Sequence, residues 1–574
     1  MLPYTFIDVG PSGTLHRMRT RLAAGAISLS LATIAAQTPS RGAPFVDRTA
    51  ETGFAFVHAT GARGQLLLPE VIGAGGALLD YDNDGDLDIL AVQSAVDAAP
   101  PAARGSRLYR NDLSGRRVRF VDVTDRSRIA LAAYGMGAAT GDVDNDGWTD
   151  LFVTSLGSGT LLRNNRDGTF SDITATSGAT DRRWSTSATF LDFDRDGWLD
   201  LFVANYVNYR PDMKRECFSA ASARDYCNPA VYEAVTGRLL RNTGKGTFID
   251  VSTTAGIAAS PGRGLGVLAI DANEDGWLDL YVANDGDPNH LWINERGTGR
   301  FRDEALLSGV ALDRAGRPQG SMGIDAGDLD GDGDDDLFVT NLDNEGHALY
   351  INAGKGLFEE RTLEWGLFAL GFTGFGTRFA DYDNDSWPDL LVVNGAVRHM
   401  DAQRRAGDAH PLKQRNQLFH NERGRRYTDV TATAGPAFAG TAVGRGLAMG
   451  DLDNDGDVDA IVFNNGGPAR VLVNESTGRN HWLGLRILDH RAPRDALHAR
   501  VEVTLADGRR LVRRVHTDGS YASAGDPRVL VGLGSAAAPV TVRVVWPQGT
   551  AEQFRNLAID RYWVIEPGKP PRPM

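Results

Sequence analysis

Short apolar runs alternate with turns rich in Gly, Asp and Asn along most of the chain. In the clearest stretch the runs cover residues 73–79, 87–92, 108–111 and 120–124. Runs of this length, rich in Val, Ile, Leu and Phe and bounded by turn residues, predict short antiparallel strands. Four such strands make up one structural unit.

The second strand of each unit follows an acidic loop close to D-x-D-x-D-G-x-x-D. Successive copies start 50 to 79 residues apart, which predicts one unit of about 50 residues copied with insertions. Four strands per copy are typical of a propeller blade. We therefore predict an all-β fold, a seven-bladed β-propeller with Ca-binding loops followed by a small C-terminal β domain. The seven copies start at Asp80, Asp142, Asp192, Asp271, Asp328, Asp381 and Asp451.

The last strand of each unit, F-x-D-V-T, indicates how the ring closes. It recurs at Phe170, Phe248, Phe301 and Phe358, but no copy follows the seventh loop. The missing copy lies near the N-terminus, at residues 45–49. We predict that this segment supplies the outer strand of the seventh blade, because closure by both chain ends removes a free sheet edge.

The loop chemistry is that of a hard cation. Side-chain oxygens at positions 1, 3, 5 and 9 and the carbonyl at position 7 can surround one ion, and Gly at position 6 permits the turn. Oxygen ligands without His or Cys favour Ca²⁺ over Zn²⁺ or copper. The alternative is a surface turn rich in Asp and Asn. Seven copies in register favour a metal site, because a turn does not need aspartates at alternate positions.

The predicted ligands are the residues at positions 1, 3, 5, 7 and 9 of each copy. In the first four copies they are Asp80, Asp82, Asp84, Asp86 and Asp88; Asp142, Asp144, Asp146, Trp148 and Asp150; Asp192, Asp194, Asp196, Trp198 and Asp200; and Asp271, Asn273, Asp275, Trp277 and Asp279. In the last three they are Asp328, Asp330, Asp332, Asp334 and Asp336; Asp381, Asp383, Asp385, Trp387 and Asp389; and Asp451, Asp453, Asp455, Asp457 and Asp459.

Two copies depart from the pattern. Asn273 keeps an oxygen ligand but removes a charge, so the fourth site should bind more weakly. Ser386 replaces the glycine of the sixth loop, and a positive φ there would cost about 1 kcal/mol. The sixth loop is therefore the one whose metal binding is most in question.

The formal charge of −14 says little about partners, because 32 of the 74 acidic residues lie inside the seven loops. Seven bound Ca²⁺ would bring the protein close to neutrality. No basic stripe with interleaved aromatic residues is present, which argues against a nucleic-acid partner.

The N-terminus has the pattern of a secretory signal. Arg17, Arg19 and Arg21 precede an apolar stretch at residues 22–34, and small residues follow. We predict a signal peptide at residues 1–36, with an uncleaved anchor as the alternative. No later stretch approaches the length of a membrane span, so the mature chain is expected to have none. Export would make it periplasmic, cell-surface or extracellular.

Only two cysteines are present, Cys217 and Cys227, ten residues apart. In an oxidising compartment we expect them to form a disulfide, and a free pair is the alternative.

At this point the sequence resembles a known family. The acidic loops, with Gly-rich strands before them and L-x-x-x-N segments after them, resemble FG-GAP or VCBS repeats, as in the propeller of integrin α subunits. The tail resembles an ASPIC/UnbV domain, and the order of the two is similar to that of the cartilage acidic protein family and its bacterial relatives. The resemblance implies a propeller at residues 45–476 and an ASPIC/UnbV β domain at 478–568. The tail match rests on the residue groups 480–483, 494–496, 519–521, 526–528 and 545–547.

The resemblance implies a secreted or surface Ca²⁺-binding protein associated with adhesion or matrix interaction, and it assigns no established activity to the tail. From the residues themselves, two insertions, 208–235 and 397–417, are candidate binding surfaces. The four arginines at positions 509, 510, 513 and 514 either dock an acidic surface such as the propeller or a polysaccharide, or form a solvated strand face.

Three functional hypotheses stay open. The favoured one is a secreted binding module for a protein or glycan, with up to seven structural Ca²⁺ and no catalytic residues, since no nucleophile motif accompanies the histidines. The second is a propeller enzyme acting on carbohydrate or another extracellular polymer. The third is a structural envelope or matrix component.

Overall fold

A computed structural model describes residues 44–94, 105–129, 131, 133–213, 215–219, 222–408, 411–476, 480–489 and 491–574. The predicted signal peptide lies outside the described residues. The described chain is almost entirely strand and turn, and the first strand is β1 (Phe45–Asp47).

Seven antiparallel sheets of four strands are present, one for each acidic loop, and the first gains a fifth, parallel strand from the C-terminal part. The first three are β2 (Gly76–Leu79), β3 (Asp88–Ala91), β4 (Arg107–Asn111) and β5 (Phe120–Asp122); β6 (Tyr134–Gly141), β7 (Asp150–Leu156), β8 (Thr160–Asn164) and β9 (Phe170–Asp172); and β10 (Ser185–Leu191) and β11 (Asp200–Asn205), followed after the hairpin β12 (Cys217–Phe218) and β13 (Arg224–Asp225) by β14 (Arg238–Asn242) and β15 (Phe248–Asp250).

The next three sheets are β16 (Gly264–Ile270), β17 (Asp279–Asn284), β18 (His290–Asn294) and β19 (Phe301–Asp303); β20 (Ile324–Gly327), β21 (Asp336–Val339), β22 (Ala348–Asn352) and β23 (Phe358–Glu360); and β24 (Gly374–Ala380), β25 (Asp389–Asn394), β26 (Gln417–Asn421) and β27 (Tyr427–Asp429). The seventh contains β28 (Gly444–Gly450), β29 (Asp459–Asn464) and β30 (Arg470–Asn474), and its fourth strand is β1.

The first strands of the seven sheets contact one another in chain order, and β28 also contacts β2. This cyclic order makes the first strands the inner wall of a ring. In the seventh sheet Phe45 pairs with Asn474 and Asp47 pairs with Leu472. The predictions of an all-β propeller fold and of an N-terminal closing strand are confirmed.

The core lies between neighbouring sheets. Strands such as β3 and β29 are buried on both faces, which explains their nearly continuous apolar sequences. Between the first and seventh sheets, Ile89 and Leu78 lie in the same buried cluster as Phe463 and Val471. Apolar packing therefore joins the seventh sheet to the first and helps to close the ring.

The C-terminal part is built from two further four-stranded sheets that share one buried core. The strands are β31 (His481–Ile487), β32 (Arg500–Thr504), β33 (Arg510–Arg514), β34 (Ser523–Ala524), β35 (Val529–Gly534), β36 (Val540–Val545), β37 (Ala551–Leu557), β38 (Tyr562–Ile565) and β39 (Arg572–Pro573). The sheet orders are β35-β31-β38-β39 and β33-β32-β36-β37. β34 belongs to neither sheet, because it pairs in parallel with β2 of the ring.

Helices are few and short. They are α1 (Thr49–Thr52), α2 (Thr124–Ser127), α3 (Thr174–Ser177), α4 (Asp401–Arg405) and α5 (Pro436–Ala439), with 3-10 turns at Leu68–Val71, Pro229–Val231, Ile257–Ala259 and Thr431–Thr433. In the part of the chain that the structure describes, none of the helices combines the length and apolarity needed to cross a membrane.

Candidate metal-binding loops and the surfaces around them

The first acidic loop folds around its own carboxylates. One oxygen of Asp80 accepts the backbone N–H of Asp84 at 3.0 Å, and the other accepts that of Gly85 at 3.1 Å. Asp88, the first residue of β3, accepts the backbone N–H of Tyr81 at 3.0 Å. These hydrogen bonds curl the loop, and Asp80, Asp82 and Asp88 face a common centre.

The same arrangement recurs in the other loops. At position 1, Asp142, Asp381 and Asp451 each accept the backbone N–H groups of positions 5 and 6. In the fifth loop, Asp328 instead accepts the N–H of Gly331, at position 4. The repeated geometry comes from the repeated sequence.

Ligand atoms of the predicted positions converge. In four loops three of them lie within 4.8 Å of one another, and the groups are Asp80, Asp82 and Asp88; Asp142, Asp144 and Asp146; Asp192, Asp194 and Asp200; and Asp328, Asp330 and Asp332. In the sixth loop the predicted ligands Asp383 and Asp389 form such a group with His420. The structure thus contains acidic clusters that could hold metal ions.

Several carboxylate oxygens of the acidic loops are buried and accept no hydrogen bond within the described part of the chain. They belong to Asp82, Asp144, Asp192 and Asp271. A buried anion without a partner is costly, so such oxygens point to a ligand that the protein atoms do not supply. The oxygen-only donor set of these loops fits a hard divalent cation.

Burial disfavours the charged form of the clustered aspartates. It raises the pKa of Asp80, Asp142, Asp271 and Asp328 to about 6 and that of Asp192 to about 7. At position 9 it raises the pKa of Asp88, Asp150, Asp200, Asp279, Asp336 and Asp459 well above the usual value. A bound cation would favour the ionised forms, because ligation requires deprotonated carboxylates.

The conformational expectation for the sixth loop is confirmed, while its metal binding stays a prediction. Ser386 has φ +90°, close to the +95° of Gly85 at the matching position. Position 4 is also left-handed, with φ +57° at Asn83 and Asn384. The sequence reasoning did not anticipate this second left-handed position, although the recurrence of Asn there was a signal for it.

A histidine that sequence reasoning missed lies beside the sixth loop, on β26. Nδ1 of His420 lies 2.9 Å from Oδ1 of Asp389, and this bond raises the pKa of the imidazole to about 9. Comparing the seven copies could have found it, since the residue before the final Asn of the third strand is Arg110 in the first copy and Val473 in the seventh. A protonated imidazole at this position would compete with a divalent cation.

Each acidic loop is tied to the next sheet by an asparagine. The asparagine that ends the third strand donates its side-chain N–H to the carbonyl at position 2 of the preceding loop. The pairs are Asn164 with Tyr81, Asn242 with Val143, Asn294 with Phe193, Asn352 with Ala272, Asn421 with Leu329, Asn474 with Tyr382, and Asn111 with Leu452. The loops therefore form a cyclic row on one face of the ring.

The C-terminal sheets contact this row of loops. Arg528 donates to the carbonyl of Asp451 at 2.7 Å, and the Tyr562 hydroxyl donates to a carboxylate oxygen of Asp451 at 2.8 Å. Arg494 donates to the carbonyl of Gly197 at 3.3 Å. The loop face is thus an interface within the chain, and the sequence offered such docking only as one alternative for the arginine-rich stretch.

The arginine-rich stretch at residues 509–514 partly docks on the propeller and partly faces solvent, so each of the two interpretations holds for one half of it. Arg513 donates to the carbonyl of Ser386 at 3.1 Å, and Arg514 lies 3.6 Å from the carboxylate of Asp335. Arg509 is exposed and pairs with its neighbour Asp507. The second half of the stretch docks on the propeller, and the first half faces solvent.

The two insertions meet on the opposite face of the ring, because they connect second to third strands whereas the acidic loops connect first to second strands. The backbone N–H of His399 donates to the carboxylate of Asp225 at 3.2 Å, and the rings of His399 and Tyr226 lie 5.4 Å apart. A disulfide joins Cys217 and Cys227 inside the first insertion, as predicted. Tyr232 and Leu412 of the two insertions lie in one buried cluster with Phe375 of the inner strand β24, so together the insertions form a cap over one end of the ring axis.

Comparisons with known proteins agree with this architecture. The family described as ASPIC and UnbV matches residues 489–572. The FG-GAP-like repeat matches residues 80–153, 142–203, 271–339 and 328–392, and each match contains two successive acidic loops. The chain belongs to the proteins that join FG-GAP-like repeats to a C-terminal ASPIC and UnbV domain, which the sequence motifs predicted. The descriptions of the two matched families name a repeat and a domain and no catalytic activity.

Individual proteins are similar to this chain over most of its length or over part of it. Human cartilage acidic protein 1 is 25% identical over 519 residues, which are 85% of this chain and 71% of the human protein. The mouse protein of the same name is 29% identical over 166 residues, 27% of this chain and 25% of the mouse protein. Among solved structures, an Agrocybe aegerita protein with specific recognition of non-reducing terminal N-acetylglucosamine has 15% identity and a TM-score of 0.36, covering 67% of this chain and 88% of that one.

Proposed function

We propose that this chain is an extracellular calcium-binding propeller protein that binds a protein or glycan ligand, with the seven acidic loops holding structural Ca²⁺. The observation that carries the proposal is the set of buried carboxylate oxygens, such as those of Asp82 and Asp144, that face a common centre without a hydrogen-bond partner among the described residues. The predicted ligands at all seven loops stay a proposal.

Secretion would suit these sites. Extracellular fluid contains Ca²⁺ at millimolar levels, which fills sites with dissociation constants of roughly 10⁻⁴ to 10⁻³ M. Linkage then stabilises the fold by roughly 0.4 to 1.4 kcal/mol per site. The disulfide between Cys217 and Cys227 supports an oxidising compartment.

The insertion cap is the surface we assign to the external ligand. Its tyrosines are mostly structural: Tyr209 and Tyr232 are buried and pack edge to face at 5.6 Å. Phe218 and Val231 are 60% and 40% exposed, so they supply accessible apolar surface at the outer end of the cap. Exposed apolar groups on excursions from a rigid scaffold are typical of binding sites.

One geometric feature favours the enzyme hypothesis, but the cavity beside that feature is too small to support it. The Tyr206 hydroxyl donates to a carboxylate oxygen of Asp285 at 2.6 Å beneath the cap, away from the acidic loops. The cavity beside this pair has a volume of about 20 Å³. That is room for about one water molecule, which is too little for a polymer chain.

The calcium proposal is tested by thermal unfolding of the mature protein in 2 mM CaCl₂, in chelator, and in chelator followed by excess MgCl₂. We expect chelation to lower the melting temperature by many degrees and Ca²⁺, but not Mg²⁺, to restore it. An unchanged melting temperature in chelator would contradict structural calcium.

The ligand-binding face is tested by screening glycans and matrix proteins with Ca²⁺ present. Phe218→Ser with Val231→Ser should abolish any binding found. Ile249→Ser is the matched control, since Ile249 is 55% exposed on β15, in the sheet that carries the first insertion but outside the cap. If both variants lose binding equally, the ligand does not bind specifically to the cap. If the wild-type protein binds nothing in the screen, the structural-component hypothesis is favoured.

A further inference from the structure

A segment of the C-terminal part leaves its own sheets and enters the axis of the ring. Residues 517–526 include β34, which pairs with β2 in parallel, with Gly76 opposite Ser523 and Ala77 opposite Ala524. The segment contacts the first strand of every sheet. The ring residues involved are Gly76, Ala138, Ser187, Ala269, Ile324, Phe375 and Met449, in order around the ring.

The ring wall binds a carboxylate of this segment. A single oxygen of Asp518 accepts the hydroxyl of Thr189 at 2.7 Å and the backbone N–H of Ala269 at 2.8 Å. Arg378, which is buried beside Asp325, also donates to the Asp518 carbonyl. The two donors to the carboxylate come from the neighbouring inner strands β10 and β16, and Arg378 comes from β24, so the ring wall supplies an anion pocket at this point.

A second part holds an aromatic side chain. Tyr521 is fully buried, and its ring packs edge to face against Phe375 with 4.8 Å between centroids. Its hydroxyl donates to the carbonyl of Ile72 at 2.8 Å. A buried tyrosine with its hydroxyl paired is typical of the anchor residue of an interface.

Other contacts are hydrogen bonds between the ring and the backbone of the segment. The N–H of Ile324 donates to the Ser520 carbonyl at 3.0 Å, and the N–H of Ala522 donates to the Ser187 hydroxyl at 3.0 Å. Gly137 on β6 leaves the space that the segment occupies. A Cβ built there would lie 2.0 Å from the carbonyl oxygen of Ala522, and the three atoms nearest to it all belong to Ala522.

We propose that the ring axis is a peptide-binding site and that residues 517–526 are its tethered ligand. The ligand class is an extended peptide with a carboxylate three residues before a tyrosine, followed by small residues. This assigns a role to the C-terminal domain: it closes the loop-side end of the axis and is held there by sequence-specific contacts. External ligands are thereby excluded from that end.

The test uses the full chain with a protease site inserted between Ser476 and Asn480, cut after folding and analysed by size-exclusion chromatography in Ca²⁺. We expect the two fragments of the wild-type chain to co-elute in equal amounts. Gly137→Ala should weaken their association by about ten- to hundredfold, because overpacking forces the segment out of register. Gly327→Ala on β20 is the matched control, since a Cβ there approaches nothing closer than 3.9 Å.

A second variant keeps the test decisive if Gly137→Ala does not fold. Tyr521→Phe retains the packed ring and loses the hydrogen bond to Ile72, so association should weaken by about three- to tenfold. Separation of the wild-type fragments after cutting would overturn the proposal. Unchanged association in a folded Gly137→Ala protein, or in Tyr521→Phe where the glycine variant does not fold, would also overturn it.

Discussion

The side-chain amide of Asn111, in the first sheet, donates a hydrogen bond of 3.0 Å to the carbonyl of Leu452, in the seventh acidic loop. The two residues are 341 positions apart, and this bond repeats the one that Asn164 makes to Tyr81 between the first two sheets. The junction between the chain's two ends therefore has the same local chemistry as every other junction. Closure of the ring needs no special element beyond β1.

Removal of this closing bond should destabilise the fold. Asn111→Ala leaves the buried carbonyl of Leu452 without its donor, which costs about 1 to 3 kcal/mol. Urea unfolding in saturating Ca²⁺ measures the change. Asn208→Ala is the control, because that side chain pairs with Glu233 on an exposed surface and its loss should cost less than about 0.5 kcal/mol. Equal effects in the two variants would show that the junction bond does not contribute.

The response of stability to pH should have opposite signs with and without calcium. In chelator, burial holds the pKa of Asp80 at about 6 and that of Asp192 at about 7, above their values in the unfolded chain. The folded state then binds more protons, so its stability rises as the pH falls from 8 through 6. In saturating Ca²⁺ the carboxylates stay ionised, and acidification should lower stability instead. Melting curves at pH 8, 7 and 6 in both conditions check this, and parallel trends would contradict it.

Ser386→Gly should stabilise the sixth loop. The serine has φ +90°, and its buried hydroxyl has no partner among the described residues. Glycine removes both penalties, which we expect to raise the free energy of unfolding by about 1 kcal/mol. The reverse change, Gly85→Ser, is the matched control and should cost a similar amount, since a Cβ there meets only the flexible end of Met574. A neutral result in both directions would show that this backbone conformation is not strained.

His420→Val should raise the calcium affinity of the sixth loop by about ten- to hundredfold at pH 7, because binding must otherwise displace a proton held with a pKa of about 9. Valine occupies the matching position of the seventh copy, at Val473. Calorimetric titration at pH 7 and pH 9 measures the difference, which should shrink at the higher pH. A wild-type affinity that does not change between these pH values would contradict the competition.

The imidazole also gives the chelated protein a pH dependence of its own. Because the folded pKa of His420 is raised, its contribution to stability is complete below pH 6.5 and is lost as the pH rises through about 9. His420→Val should remove this loss above pH 7. If the variant and the wild type lose stability equally between pH 7 and 9, another group is responsible.

The sequence by itself determined the repeating parts. The acidic loops, the four strands around each of them and the closing strand at Phe45 are local patterns of about 50 residues, and hydrophobic alternation and turn chemistry act over that range. The left-handed backbone at Ser386 could also be predicted, because its position in the repeat is otherwise glycine.

Only the tertiary structure decided how distant parts meet. Tyr521 reaches Ile72 across 449 positions, and Arg528 reaches the loop that begins at Asp451. Such contacts depend on the diameter of the ring and on which face the C-terminal sheets cover, and neither quantity is encoded in a local pattern. His420 belongs to the same class, since its proximity to Asp389 follows from strand register in the folded sheet.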